Sequence, residues 1–263
     1  MNTLGLELHR AFINKNMAKS LIIGIILVIA DLVLFSKDYL AHDKVLVQAW
    51  IGTNYLYAYN SIFYILFPIL ACLPFGGSLF TDIASGYDKN ICIKVSRKDY
   101  IFSKCIATFL SGAFAVTLPV FLNFFIAAGL FPNMQAERLE WMVAGATLDR
   151  NLLSGVFAYN AGLYCLIYIF IDALFGGLIA LVSLAITRLS GSFFTVIVVP
   201  FVLFIFQGIV MVGDSWGNWT VMGMINPQQM VNTRWYQMIF VYLLILIVSI
   251  GTSILVNRKR DIL

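Results

Sequence analysis

The stretch 79–104 reads LFTDIASGYDKNICIKVSRKDYIFSK and lies between two long apolar runs. It carries five cations (Lys89, Lys94, Arg97, Lys98, Lys104) and three anions (Asp82, Asp88, Asp99). Charges at this density do not belong in hydrocarbon, so the stretch is expected in water, joining two membrane spans. It is too long for a minimal turn and too short for a domain, which suits a docking element.

The rest of the chain fits that frame. Of 263 residues, 61% are hydrophobic and only 11% charged, with a mean hydropathy of +0.90. A soluble domain has roughly a quarter charged residues. A helix needs about 20 apolar residues to cross the hydrocarbon core. Six runs meet that need: 18–35, 62–80, 106–131, 161–186, 193–212 and 238–256. They are continuous rather than alternating, which predicts helices and not the strands of an outer-membrane barrel. The expected fold is therefore an all-α membrane protein of six transmembrane helices, forming one domain over 1–263. No room is left for a soluble catalytic domain, and no cleavable signal peptide is expected.

Lys and Arg set the orientation. If the N-terminus is cytoplasmic, that side collects Arg10, Lys15, Lys19, the five cations of 79–104, Arg188, Arg258, Lys259 and Arg260, twelve in all. The other side collects Lys37, Lys44, Arg138, Arg150 and Arg234, which is five. Both termini are expected inside the cell, in the plasma membrane of a bacterium. The net charge of +4 reflects this asymmetry, and no nucleic-acid partner is expected.

Residues 1–17 place Leu4, Leu8, Ala11 and Phe12 on one helical face and Glu7, Arg10 and Asn14 on another. An amphipathic helix lying at the membrane interface is expected. The outer loop 36–61 carries Trp50, Tyr55, Tyr57 and Tyr59, read as an interfacial belt or as a vestibule. Within 132–160, MQAERLEWM suggests a short surface helix.

Two carboxylates fall inside apolar runs. Asp31 is close enough to Lys37 to reach the interface. Asp172, in YIFIDALFGG, lies mid-span, where an ionisable group is costly. It is expected to bond to a neighbouring helix, or to serve a translocation path or an interface. Pro68, Pro74, Pro119 and Pro200 can kink helices. Gly76-Gly77 and Gly176-Gly177 permit close helix packing.

Enzyme signatures are missing. There is no G-x-x-x-x-G-K-[ST] and no H-E-x-x-H, and the two histidines, His9 and His42, lie outside the runs. An enzyme, a metal site and a cofactor in this chain are not expected. No two cysteines are spaced C-x-x-C.

The charged first loop with Asp82, Gly86 and the run Val95-Ser96-Arg97-Lys98, followed by Tyr100 and Lys104, and the tail Lys259-Arg260-Asp261-Ile262 complete a pattern. It resembles the membrane subunit of ABC type-2 exporters. Many members of that family place an acidic residue, commonly Glu, a few residues before a Gly-Thr pair. Here Asp82 precedes Gly86-Tyr87. The resemblance implies a permease that pairs with a second copy, or a related permease, and with two separate ATPase subunits that bind ATP and Mg. It implies that 82–100 is the coupling element, with Asp82, Gly86, Ile93, Ser96, Arg97 and Lys98 as the contact residues. Family substrates include peptides, bacteriocins and other antimicrobials, drugs and glycans. Small permeases of this length often serve antimicrobial-peptide export and immunity. The alternatives are a stand-alone secondary transporter or channel, and a non-transport immunity or sensor protein.

Overall fold

The computed structural model describes residues 3–37, 46–53, 58–131, 152–187, 190–211, 216–227 and 233–258. Residues 134–142, Tyr55, Tyr57, Arg188 and the tail from Lys259 lie outside them. Helices follow one another along the chain, and no strand occurs among the described residues. They are α1 (Thr3–Phe12), α2 (Lys15–Lys37), α3 (Leu46–Ala49), α4 (Ala58–Cys72), α5 (Ser78–Ser85), α6 (Tyr87–Cys92), α7 (Arg97–Leu130), α8 (Ser154–Tyr159), α9 (Ala161–Ile186), α10 (Phe193–Val210), α11 (Val221–Ile225) and α12 (Trp235–Arg258).

Five of these, α2, α7, α9, α10 and α12, are long and apolar enough to cross a membrane. The sixth expected span, the second run 62–80, is not matched by a helix of span length among the described residues. It breaks after Cys72, and the 15 residues of α4 reach only about 22 Å against a core of about 30 Å. The cause is local. Pro74 has no N–H to give the Leu70 carbonyl, so the helix cannot continue. The freed carbonyl instead accepts the Ser20 hydroxyl of α2 at 2.7 Å. Gly76 and Gly77 follow, and both are tightly enclosed. A Cβ at Gly76 would lie 2.0 Å from Ser183 Oγ, and one at Gly77 would lie 2.3 Å from the Phe193 ring.

The bundle is organised around α9, which packs against α4, α7, α10 and α12. In its most apolar window 67% of residues are buried, against 17% for α10. The first helix is thus an axis and the second a peripheral staff with its side chains turned outward. The closest approach is between α7 and α9. A Cβ at Gly112 would sit 2.9 Å from the Ala71 carbonyl oxygen and 3.0 Å from that of Gly176. Small residues let these backbones meet, as the sequence predicts.

Toward the other end, residues 46–53 do not sit at an aromatic belt. Trp50 and Ile51 are wholly buried. Asn123 of α7 fixes them: its Oδ1 accepts from the Ile51 amide at 2.9 Å while its Nδ2 donates to the Val28 carbonyl at 3.1 Å. Asn60 also donates to the Ile51 carbonyl. The expected interfacial position of Trp50 is therefore corrected. Asp31 is likewise fully buried.

Candidate functional site

The charged stretch is not a loop. It folds as α5 and α6 joined at Gly86, and then enters α7. Gly86 has φ 72° and closes α5 in the left-handed region, where a Cβ is unfavourable. Ser96 is the N-cap of α7. Its Oγ accepts from the Asp99 amide at 3.1 Å and donates to the Asp99 carboxylate at 2.7 Å. With 34 residues, α7 is about 51 Å long, well beyond the thickness of a hydrocarbon core.

Where α1, α5 and α7 meet, two carboxylates and two cations form one closed knot. Arg10 donates to Asp82 Oδ1 at 2.6 Å, to Asp82 Oδ2 at 3.2 Å and to Glu7 Oε1 at 2.9 Å. Lys104 bonds Asp82 Oδ2 and reaches Glu7 Oε2 at 3.0 Å. Tyr100 donates to Asp82 Oδ2 at 2.6 Å. Glu7 and Lys104 are wholly buried and Asp82 nearly so. The guanidinium of Arg10 stacks on Tyr87 of α6 with its carbon 4.6 Å from the ring centroid. Lys104 lies 5.0 Å from the ring centroid of Phe75. The four charges sum to zero, which is what makes their burial tolerable.

Two expectations change here. Asp82 and Lys104 are not in water. They are internal, held by charges of this same chain. The polar face of residues 1–17 is also not a solvated face. Glu7 points into the protein, Thr3 bonds Ser103 at 3.2 Å, and Phe12 packs edge-on against Phe114 with ring centroids 5.4 Å apart. Both faces of α1 thus meet the rest of the chain, leaving Gly5 and His9 as its exposed residues.

Burial alone would raise the Asp82 carboxyl, but the Arg10 and Lys104 bonds outweigh it and hold it below its ordinary 3.8. Burial also opposes the Arg10 charge, and the bond to Asp82 overcomes that, raising it. A carboxyl depressed in the folded state stabilises above its unfolded value and loses that contribution as pH falls through the folded value. Docking of α1 is therefore expected to persist from neutrality to about pH 5 and to fail only in stronger acid. Amide exchange of residues 3–12 across pH checks this. Loss of protection already between neutrality and about pH 5 would contradict it.

The remaining site residues divide by exposure. Ile91 points inward, packing with Leu79, Tyr100, Ile101 and Leu184. Ile93 points out and is 83% exposed. Lys89, Lys94 and Lys98 are exposed around it, and Arg97 is half-buried. The α6–α7 junction thus exposes Ile93 with lysines on either side of it in the chain, on a base fixed by the knot. Asp172 is elsewhere. It is enclosed within the bundle, where Tyr64 of α4 donates to its Oδ2 at 3.4 Å. Its Oδ1 and the nearby Tyr168 hydroxyl have no hydrogen-bond partner among the described residues. Asp172 is not presented on an outer face. No group of three or more His, Cys, Asp or Glu side chains suited to a metal occurs among the described residues.

Glu7 and Arg10, central to the knot, were read from sequence only as a polar face. Their i,i+3 spacing shows that they can pair with each other. It does not show Lys104, 97 positions away. No family model, curated protein or solved structure matches the chain.

Proposed function

We propose that the chain is the membrane-spanning permease subunit of an ATP-driven exporter, and that the α5–α6–α7 junction docks on a separate ATPase at the cytoplasmic face. The observation that carries this reading is the Ile93 tip on its braced base. An 83% exposed Ile among exposed lysines is a poor lipid contact and a good interface anchor, since buried apolar anchors dominate interface energy and rim charges add little. The knot ties the tip to α1 and to α7. Displacement of the tip by a partner would be delivered to α7, and through the Gly112–Gly176 contact to α9. The exporter class rests on the sequence resemblance together with this lever. In the proposal the partner binds ATP and Mg, and a second permease completes the path by seating on an exposed apolar face such as that of α10 or α12. A peptide or other antimicrobial is the proposed cargo.

One observation favours a second reading. The partly unpaired Asp172, beside Tyr64 and Tyr168 inside the bundle, is where a stand-alone transporter would bind a coupling proton.

Ile93→Asp is the discriminating variant. As an exposed position it should leave stability within about 0.5 kcal/mol. Loss of the ATPase on co-purification, with substrate-stimulated hydrolysis abolished, is expected. Full ATPase retention and full transport in Ile93→Asp and Lys98→Glu alike would refute the docking assignment.

A further inference from the structure

Asp172 of α9, Tyr64 of α4 and Tyr168 of α9 are all wholly buried. Tyr168 and Asp172 are four positions apart, so they lie one above the other on one face of α9. Tyr64 donates to Asp172 Oδ2 at 3.4 Å. Oδ1 and the Tyr168 hydroxyl have no partner among the described residues. Tyr164, the next on this face, spends its hydroxyl on the Pro227 carbonyl at 3.1 Å. No cation pairs with Asp172, since the ion pairs among the described residues all fall in the knot. The elements packed on α9 carry cations only between Arg97 and Lys104 of α7 and at Arg258, the last residue of α12. The titratable side chains buried around this part of the bundle are phenols and thiols: Tyr164, Cys165 and Tyr168 of α9, and Tyr64 and Cys72 of α4. From α12, Tyr242 meets Phe175 edge-on at 5.6 Å. A carboxylate facing one phenol and no opposite charge is too costly to keep ionised inside a bundle. With no cation at hand, a proton is what neutralises it.

A separate observation lies in α4. Pro68 sits inside this helix and has no N–H for the carbonyl four residues back, which is that of Tyr64. The helix therefore lacks a rung at the very residue that holds Asp172, and a proline is where helices bend. We infer that Asp172 is a proton-binding site, with the proton on Oδ1 while α4 is seated, and that its release bends α4 at Pro68 and parts Tyr64 from α9. The proton passes to water that enters as α4 moves. The carboxylate left behind is hydrated, and the unspent Tyr168 hydroxyl one turn away donates to it. The device depends on neither the exporter nor the stand-alone transporter reading, because it involves one proton and one helix contact. It assigns a packing to each protonation state: neutral acid with α4 closed, carboxylate with α4 open.

The test uses the purified full chain in lipid nanodiscs, titrated from neutral pH upward. Infrared spectroscopy reads the carbonyl stretch of protonated carboxylic acids, and amide exchange of residues 58–67 reads the opening of α4. At neutral pH the acid band should be weaker by one carboxyl in Asp172→Asn. In Tyr64→Phe, which loses the bond to Oδ2, it should move to higher frequency. As pH rises, exchange in the parent relative to Asp172→Asn at the same pH should climb about tenfold per unit, the slope of one released proton. Comparison at one pH cancels the base catalysis of exchange itself. Tyr168→Phe removes a donor to the ionised form and should move the rise upward by about one unit. Pro68→Ala returns the N–H and should lower the open population about tenfold. Melting temperatures show that each variant is folded. If Asp172→Asn does not fold, the Tyr64→Phe frequency shift and the Tyr168→Phe displacement carry the test. A neutral-pH spectrum with no band that answers to Asp172→Asn or Tyr64→Phe would overturn the proton site. A band kept until the chain unfolds would overturn its release. Loss of the band with no rise in exchange, or a rise untouched by Pro68→Ala, would overturn the hinge.

Discussion

Replacing Lys104 by Met is expected to cost about 3–5 kcal/mol, because removing one member of a buried charge set strands the others. Lys104 is wholly buried and bonds both Glu7 and Asp82. Without it, Arg10 alone faces two carboxylates. The knot joins three helices, so the loss should be specific in place. The N-terminal helix should detach and become sensitive to protease, while the α7–α9 packing deeper in the bundle persists. The partner variant Glu7→Gln, combined with Lys104→Met, leaves one cation with one carboxylate and should recover a measurable part of the loss. Thermal unfolding in detergent and limited proteolysis of residues 3–12 measure both effects. A Lys104→Met chain as stable as the parent, with α1 still protected, would show that the ion set does not hold these helices together.

Gly176→Leu is the second large effect. A Cβ alone at this position would lie 2.5 Å from the Val116 side chain and 3.2 Å from the Gly112 carbonyl oxygen. The buried Val116 side chain, the Gly112 backbone and the Phe67 ring close this site together, so a leucine has no free space to enter. Overpacking costs typically 1–3 kcal/mol where side chains can shift. Here α7 and α9 must separate along the axis of the bundle, and little folded protein is expected. Gly129→Leu is the control, since nothing lies within 4 Å of its Cβ. Fluorescence size-exclusion chromatography of the two variants should give an aggregate for Gly176→Leu and a monodisperse peak for Gly129→Leu. Matching peaks would contradict the packing described.

The helical membrane architecture was legible because continuous apolar runs admit few other readings. The run 161–186 coincides with α9. It begins where Asn160 accepts from the Leu163 amide at 3.0 Å, and nothing interrupts it. The run 62–80 was equally apolar but carries Pro74 and Gly76-Gly77. Composition counts those residues as membrane-compatible, while the backbone reads them as a stop. The start of α7 was also open to reading. Ser96 ahead of Arg97-Lys98-Asp99 fits an N-cap, yet the charges here suggested a solvated loop.

The knot was the least legible part. Asp82 is 22 positions from Lys104 and 72 from Arg10, so nothing local distinguishes a charge bound for solvent from one bound for a buried partner. A mixture of signs in 79–104 was visible, but its self-neutralisation with α1 was not. Trp50 failed for the same reason. It lies near an expected interface in sequence, and tertiary packing through Asn123 and the neighbouring helices draws that region inward.

The most direct measurement of the proposed coupling role is a site-specific photocrosslink. A benzophenone amino acid is placed at position 93, where the side chain is 83% exposed and substitution should not disturb the fold. Irradiation of the producing cells, followed by denaturing purification through the tagged chain, captures whatever the tip touches. The expected adduct contains a separate chain bearing a phosphate loop, and it should be absent when the benzophenone is moved to Leu130 at the far end of α7, which is also exposed. Adducts confined to lipid or to the chain itself, with the protein intact in the membrane, would contradict the assignment of this tip to an ATPase.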